Sequence, residues 1–433
     1  MRRLLAVLCL VTITTAAADE AHVRREMIQF VDAHMAEAEA LLERSVNINS
    51  GTMNFSGIRA VAELLEPEFV SLGFEVSWYD GADFERAGHL LAMRDGKAAA
   101  PKVLLIGHLD TVFEPDSPFQ AYERLDATHA KGPGTTDMKG GNLVMLYALR
   151  ALDAAGVLDD LSVRVVLTGD EERRGHPLDL ATRPLIDAAV WADVAIGFED
   201  GDSDPKTAVT ARRGASGWSL VVTGKPAHSS QVFRDDIGYG AIYELARILD
   251  QFRTALEGEP NLTFNPGLIV GGTEAELDQG TARGSAFGKT NVIAEIARAE
   301  GDIRAVSPEQ LAMARERMEA IVGENLAHTE ARIEFEDGYP PMAPTPGNQR
   351  LLALYDQVSR DLGFGPVQAV DPRRAGAADI SFAANHVEMA LDGIGLMGSG
   401  GHTLDEVADL ETFPMQIKRA ALLLYRLAHP ASE

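Results

Sequence analysis

The chain of 433 residues is 46% hydrophobic with 40 glycines and 20 prolines, enough apolar material for more than one packed core, which excludes a disordered chain. Its formal net charge of −26 argues against a nucleic-acid backbone or an anionic membrane as partner, because both would be repelled. The single cysteine, Cys9, lies in the N-terminal apolar run, so the chain beyond it is expected to have no disulfide, cysteine nucleophile or cysteine metal ligand.

Residues 1–18 carry Arg2 and Arg3, an apolar run from Leu4 and an A-x-A site at Ala16 to Ala18. This is the pattern of a secretory signal peptide, cut before Asp19, which brings the net charge to −28. The run is short for a bilayer and Cys9 lacks the small residue expected before a lipidated cysteine, so a soluble periplasmic or secreted bacterial protein is expected. Helical spacing follows over Asp19 to Asn47 and over Ser56 to Leu72, the latter stopped by Gly73. The strands FEVSWY (Phe74 to Tyr79), HLLAM (His89 to Met93) and KVLLIG (Lys102 to Gly107) come next. After a Gly/Thr/Asp-rich loop, Gly141 to Gly156 reads as a helix and LSVRVVLTG as a strand. Such alternation predicts an α/β domain with helices on both faces of its sheet.

From about Arg212 the pattern changes. GWSLVVTG (Gly217 to Gly224) alternates like a half-exposed strand, then come a helix (Ile237 to Leu256), strands near Leu262 to Val270 and Asn291 to Ala299, a helix (Pro308 to Ile321) and a strand (Arg332 to Glu336). Strand-helix-strand-strand-helix-strand predicts a small α+β domain of ferredoxin-like order inserted into the first. Gly338 to Gly347, with four prolines, reads as the return linker, and α/β character resumes from Arg350 to a final helix, Phe413 to Ala428. The expected division is 19–211 and 329–433 for one domain and 212–328 for the insert.

Five fragments carry candidate chemistry. IGHLDTV sets His108 and Asp110 just past a strand, where open α/β sheets build their sites. KGPGTTDMKGG centres Asp137 among glycines before a helix, and VVLTGDEERRG delivers Asp170, Glu171 and Glu172 side by side at a strand end. IGFED ends another strand in Glu199 and Asp200, and GSGGHTLDE places His402 in a glycine-rich loop. Each fragment alone has a bland reading, as a surface loop or a helix cap. Together they put imidazoles and carboxylates at the strand exits and loops of one domain, a donor set that suits zinc or another borderline divalent metal. Cations among the acids would also turn the repulsion in GDEE into coordination.

In order and spacing these motifs resemble the zinc-dependent glutamate carboxypeptidase and aminoacylase-type metallopeptidases, which include succinyl-diaminopimelate desuccinylase and acetylornithine deacetylase. VNINSGTMNFSGI is similar to the N-terminal segment of the bacterial glutamate carboxypeptidase branch. The resemblance implies a mixed-sheet zinc-exopeptidase domain with an inserted lid and dimerisation domain, and two zinc ions per subunit. His108 and Glu199 would bind one ion, Glu172 and His402 the other, and Asp137 both, with a cis peptide after it. Asp110 would hold the His108 ring, and Glu171 would be the general base. His228, in GKPAHSS, matches the lid histidine that reaches the partner subunit's active site. Asn291 and Arg304 match the lid pair that binds a free carboxylate, a task suited to a forked guanidinium. RRAGAADISF has alanines where the family has glycines, which leaves Arg373 and Arg374 without an assigned role. The implied reaction is hydrolysis of a peptide or amide bond beside a free carboxylate, releasing a C-terminal amino acid. Alternatives are an N-acyl-amino-acid deacylase with the same metal centre, and a non-catalytic periplasmic binding protein.

Overall fold

The chain folds into two compact units, the first running to Thr210 and including Thr345–Val370 and the segment from Phe382 on, the second comprising Ala211–Pro344 and Asp371–Ser381. The computed structural model describes residues 2–278 and 283–430, with side chains described from Asp19 on. The expected signal peptide therefore lies outside the residues whose side chains are described, and no described helix is long and apolar enough to cross a membrane.

In the first unit, helix α1 (Arg2–Val46) buries Met27, Val31, Ala38, Leu41, Leu42 and Val46, a stripe at helical spacing that faces the core. Helix α2 (Phe55–Ser71) begins at Asn54, whose side chain accepts from the Gly57 N–H. Strands β1 (Glu75–Asp80), β2 (Gly88–Arg94), β3 (Lys102–His108), β4 (Ser162–Thr168), β5 (Val194–Gly197) and β6 (Met389–Leu391) form one mixed sheet in the order β1-β2-β4-β3-β5-β6. The pairs β4-β3, β3-β5 and β5-β6 are parallel, while β1-β2 and β2-β4 are antiparallel. From Val103 to His108 every residue of β3 is buried, the mark of a central strand covered on both faces. Helix α3 (Lys139–Ala154) is buried at every position from Lys139 to Leu149, and packs on β3, on α1 and on the C-terminal helix Thr412–Ala428.

The connectivity decides where the site forms. The chain leaves β3, pairs β4 on one side of it, then crosses to place β5 on the other, so β3 flanks a topological switch point, where open α/β sheets bind ligands beyond their strand ends. His108 lies opposite Thr168, and Ile106 opposite Gly197, so the three loops leave the sheet together.

The second unit holds four antiparallel strands, Ala215–Gly224, Thr263–Gly272, Ile296–Arg304 and Thr329–Tyr339, in the spatial order 4-1-3-2 of a split βαβ fold. Ser216, Trp218, Leu220 and Val222 alternate inward, and Trp218 meets Phe252 of the helix Ala241–Leu256 edge to face at 6.0 Å. Three features depart from the sequence reading. The strand expected at Asn291 to Ala299 runs from Ile296 to Arg304, and a hairpin of Glu274–Asp278 with Arg283–Phe287 was not anticipated. All five residues of its second strand are exposed, so no alternating apolar pattern marks it. The strand Thr329–Tyr339 pairs with Ala215–Gly224 and so lies in this sheet, past the boundary read at residue 328.

Helix α3 approaches the sheet so closely that a Cβ on Gly141 would stand 1.9 Å from the Phe198 carbonyl oxygen. Gly141→Ala is therefore expected to push α3 away from the end of β5 and lower stability by about 1–3 kcal/mol, read as a lower urea midpoint. An unchanged midpoint would mean the helix can shift freely there.

Candidate metal centre

Gly107 leaves room for Asn142, whose side-chain Nδ2 donates to the His108 carbonyl at 2.6 Å; a Cβ at 107 would meet the Asn142 Oδ1 at 2.2 Å. His108 ends β3, buried. Two residues on, Asp110 is fully buried, and its carboxylate accepts from the N–H groups of Glu171 and Glu172, each at 3.1 Å, and from the Thr52 hydroxyl at 2.7 Å. The His108 Nδ1 lies 3.0 Å from the Asp110 carbonyl oxygen and 3.4 Å from its carboxylate. The main chain of Asp110 thus orients the ring more closely than the expected side-chain contact, while the carboxylate ties the GDEE turn to β3.

The three adjacent acids of that turn separate. Asp170 is buried, pairs with Arg174 and accepts from the Gly175 N–H at 2.9 Å. Glu172 turns to His402, with Oε2 at 3.0 Å from the ring Nε2. Glu171 stands close enough for its charge to bear on Glu199.

Asp137 lies between the two histidines: Oδ1 is 3.0 Å from the His108 Nε2, and Oδ2 is 2.9 Å from the His402 Nε2. The Glu199 Oε1 completes the first group at 3.6 Å from the His108 Nε2. Two triads result, His108/Asp137/Glu199 and Asp137/Glu172/His402, each with donor atoms mutually within 4.8 Å. The peptide bond after Asp137 is cis. Asp392, buried at the end of β6, accepts from the Glu199 N–H at 3.3 Å and sets that residue's main chain.

Electrostatics test whether the residues suit a cation. Burial, then the charge of Asp137, pushes Glu172 up to about 7 and raises Glu199 well above the usual carboxylate range. Burial opposes ionisation of Asp137 too, but its hydrogen bonds to both histidines hold it low. Hydrogen bonds that it donates to Asp137 and Glu172 lift His402 to about 11. Burial pulls His108 down, yet Glu199, Asp110 and Asp137 outweigh it and leave the ring raised. The Glu172 Oε1 is buried with no hydrogen-bond partner among the described residues. Carboxylates raised by burial and by one another's charge, plus an unpartnered buried oxygen, fit divalent cations, which would supply positive charge.

The sequence reading missed three supporting residues, Thr52, Asn142 and Asp392. Thr52 lies in the quoted SGTMNF segment and Asn142 directly after TTDMKGG, but their partners at Asp110 and His108 are far away in the chain. His89 was read only as part of a strand. Its ring is buried, accepting from the Gly169 N–H at 3.1 Å through Nδ1 and lying 2.8 Å from the Ala181 carbonyl through Nε2, which ties down the start of the GDEE turn.

His228, Asn291 and Arg304 lie in the second unit. His228 caps a short turn, accepting from the Ser230 N–H at 3.2 Å, and Asn291 sits beside it, its carbonyl accepting from the Ser229 N–H at 2.9 Å. Arg304 ends the strand Ile296–Arg304, which begins five residues after Asn291. Arg304 pairs with Asp302 at 2.9 Å, and opposite it Thr263 accepts from Arg213 at 3.0 Å. Burial, then the charges of Arg304 and Arg373, lower Arg213, so three guanidinium groups gather here.

Residues 104–426 match the sequence pattern of peptidase family M20/M25/M40. Carboxypeptidase G2 of Pseudomonas sp. (strain RS-16) is 26% identical over 393 residues, covering 89% of this chain and 88% of that one. Among solved structures, aminopeptidase PepT from Bacillus cereus superposes with a TM-score of 0.71 at 18% identity, over 91% of this chain and 99% of its own. The YXEP protein of Bacillus subtilis, described as a dinuclear metal binding peptidase from the M20 family, superposes with a TM-score of 0.61 at 14% identity, over 92% of this chain and 99% of its own. On the match over residues 104–426, the chain belongs to peptidase family M20/M25/M40, and it is a metal-dependent hydrolytic enzyme of the carboxypeptidase and amidohydrolase type.

Proposed function

We propose that this enzyme is a dinuclear zinc carboxypeptidase that cleaves a peptide or amide bond beside a free carboxylate and releases a C-terminal amino acid. The observation that carries the reading is the pair of His/carboxylate triads sharing Asp137. His108, Asp137 and Glu199 would hold one zinc ion, and Asp137, Glu172 and His402 the other. Such ions supply a bound water acidified to about pKa 7 and a Lewis acid for the carbonyl. Around them, Glu171 takes the proton of the attacking water and passes it to the leaving amine, serving as base and then acid. Asp110 keeps Glu171 in place through the hydrogen bond from its N–H. His228 donates to the developing oxyanion, and a guanidinium fork at Arg304 takes the substrate carboxylate.

The same reading includes a homodimer formed through the unit built on residues 212–328. Exposed Phe233, Ile242, Tyr243, Ile269 and Phe287 in that unit support it. Periplasmic or secreted location rests on the basic start, apolar run and A-x-A site of residues 1–18.

A panel of N-acyl amino acids and C-terminally varied dipeptides, assayed with zinc and with a chelator, tests the reaction. Chelator-sensitive release of an amino acid is expected, and no release from any member with two equivalents of metal bound would remove the reading. Glu171→Gln should lose about 10²–10⁴ in turnover while keeping its metal, and an unaltered rate would take Glu171 out of the mechanism. Arg304→Ala should raise KM for substrates with a free carboxylate and leave their amidated counterparts unchanged; equal KM shifts for both would show that Arg304 is no carboxylate anchor. Glu171→Gln and His228→Ala chains, each nearly inactive alone, should regain activity when mixed and allowed to exchange subunits if His228 serves its partner. No recovery despite exchange would place His228 in its own chain's site.

Metal uptake should also be linked to pH. His108, His402, Glu172 and Glu199 are all raised in the metal-free protein and must give up any proton to act as ligands. Zinc binding is expected to release protons from these ligands, with affinity rising as pH rises. Calorimetric enthalpies that do not vary with buffer ionisation heat would contradict this.

A further inference from the structure

The motif GGHTLDE ends in a residue for which the proposed chemistry has no use. Glu406 is fully buried, and its side chain serves the other half of the site. Oε2 accepts from the Gly134 N–H at 3.0 Å; Oε1 accepts from the N–H groups of Thr136 at 2.8 Å and Asp137 at 3.3 Å. The hydroxyls of Thr136 and Thr135 lie 3.3 and 3.4 Å from the same Oε1. The Glu406 carbonyl accepts from the Gly132 N–H at 3.3 Å, and the next residues, Val407–Asp409, pair with His129–Lys131. On the far side of the loop, buried Lys139 donates through Nζ to the carbonyls of Ser45 at 3.0 Å and Ile48 at 2.8 Å.

A loop that directs several N–H groups to one point needs a multivalent acceptor, and an ionised carboxylate supplies about four lone-pair sites and stronger hydrogen bonds than an amide. Burial and the nearby charge of Asp137 oppose a carboxylate there, and the N–H groups of residues 134, 136 and 137 and the charge of Lys139 offset them. We infer that Glu406 is a positioning residue for the metal centre: by fixing the main chain of residues 134–137 to the segment that carries His402, it sets where the shared Asp137 carboxylate stands between the two histidines. It touches no reacting atom. Asp137 stands 3.0 Å from the His108 Nε2 and 2.9 Å from the His402 Nε2, so a displaced loop disturbs both ion sites together. This inference rests on the metal centre proposed above.

The test adds cobalt(II) to chelator-stripped protein and measures affinity by chelator competition and geometry by visible absorption. Glu406→Ala and Glu406→Gln are compared with the parent and with Tyr355→Phe, which removes a buried 3.0 Å hydrogen bond to Gln416 elsewhere in the same unit. All are assayed at a temperature where circular dichroism finds them folded. Glu406→Ala is expected to weaken both equivalents by about tenfold to a hundredfold and to change the cobalt spectrum. Glu406→Gln should fall between, because its amide oxygen still serves Thr136 and Asp137 while its NH₂ group faces the Gly134 N–H. Should Glu406→Ala fail to fold, Glu406→Gln decides. Parent-like affinity and spectrum in the folded variants would overturn the inference, as would an equal loss in Tyr355→Phe. A parent that takes up no cobalt would instead overturn the metal centre itself, and this inference with it.

Discussion

A carboxylate denied solvent must collect donors, and Asp110 collects three: the N–H groups of Glu171 and Glu172 and the Thr52 hydroxyl. These come from the turn after β4 and from the segment before α2, while Asp110 itself follows β3. The hydrogen bonds convert a side-by-side strand pairing into a fixed relation between the loops beyond it. Without them the GDEE turn would have no reason to hold its acids apart, since adjacent carboxylates in a poorly solvated place repel one another. With them, Asp170 turns to Arg174 while Glu172 reaches His402.

The sheet order explains why this happens at β3. Parallel neighbours on both sides bring three strand ends to one edge, and the register sets His108 against Thr168 and Ile106 against Gly197. Glu199 follows within two residues. Helix α3, seated against Phe198 by the absence of a side chain at Gly141, brings the loop of Asp137 to the same edge. Main-chain hydrogen bonds and close packing thus deliver the donor atoms, and the unfavourable gathering of like charges is offset only where positive charge is supplied.

Legibility from sequence followed locality. The strands that became β3 and β4 were read almost to the residue, because buried β-branched and aliphatic runs bounded by glycine have few other readings. His108, Asp137, Glu172, Glu199 and His402 were legible as motifs, since each stands in a short fragment of unusual composition. The hairpin of residues 274–287 was not, because its exposed strand Arg283–Phe287 carries no apolar alternation. Asn291 and Arg304 were read as a pair from the resemblance, and the strand that Arg304 ends begins five residues after Asn291. Glu406 and Thr52 stood in plain view inside quoted motifs and gave no signal, because a hydrogen-bond acceptor is identified by its donors, and theirs lie elsewhere in the chain.

Composition, charge and the local motifs by themselves determined an acidic α/β chain with an inserted α+β segment and a His/carboxylate donor set, since these depend on residue type and short-range periodicity. Only the tertiary structure decided which acid is neutralised by an arginine and which buried groups hold the ligands in place. Those are matters of distance between segments far apart in sequence, set by strand order and register, and no local pattern encodes them.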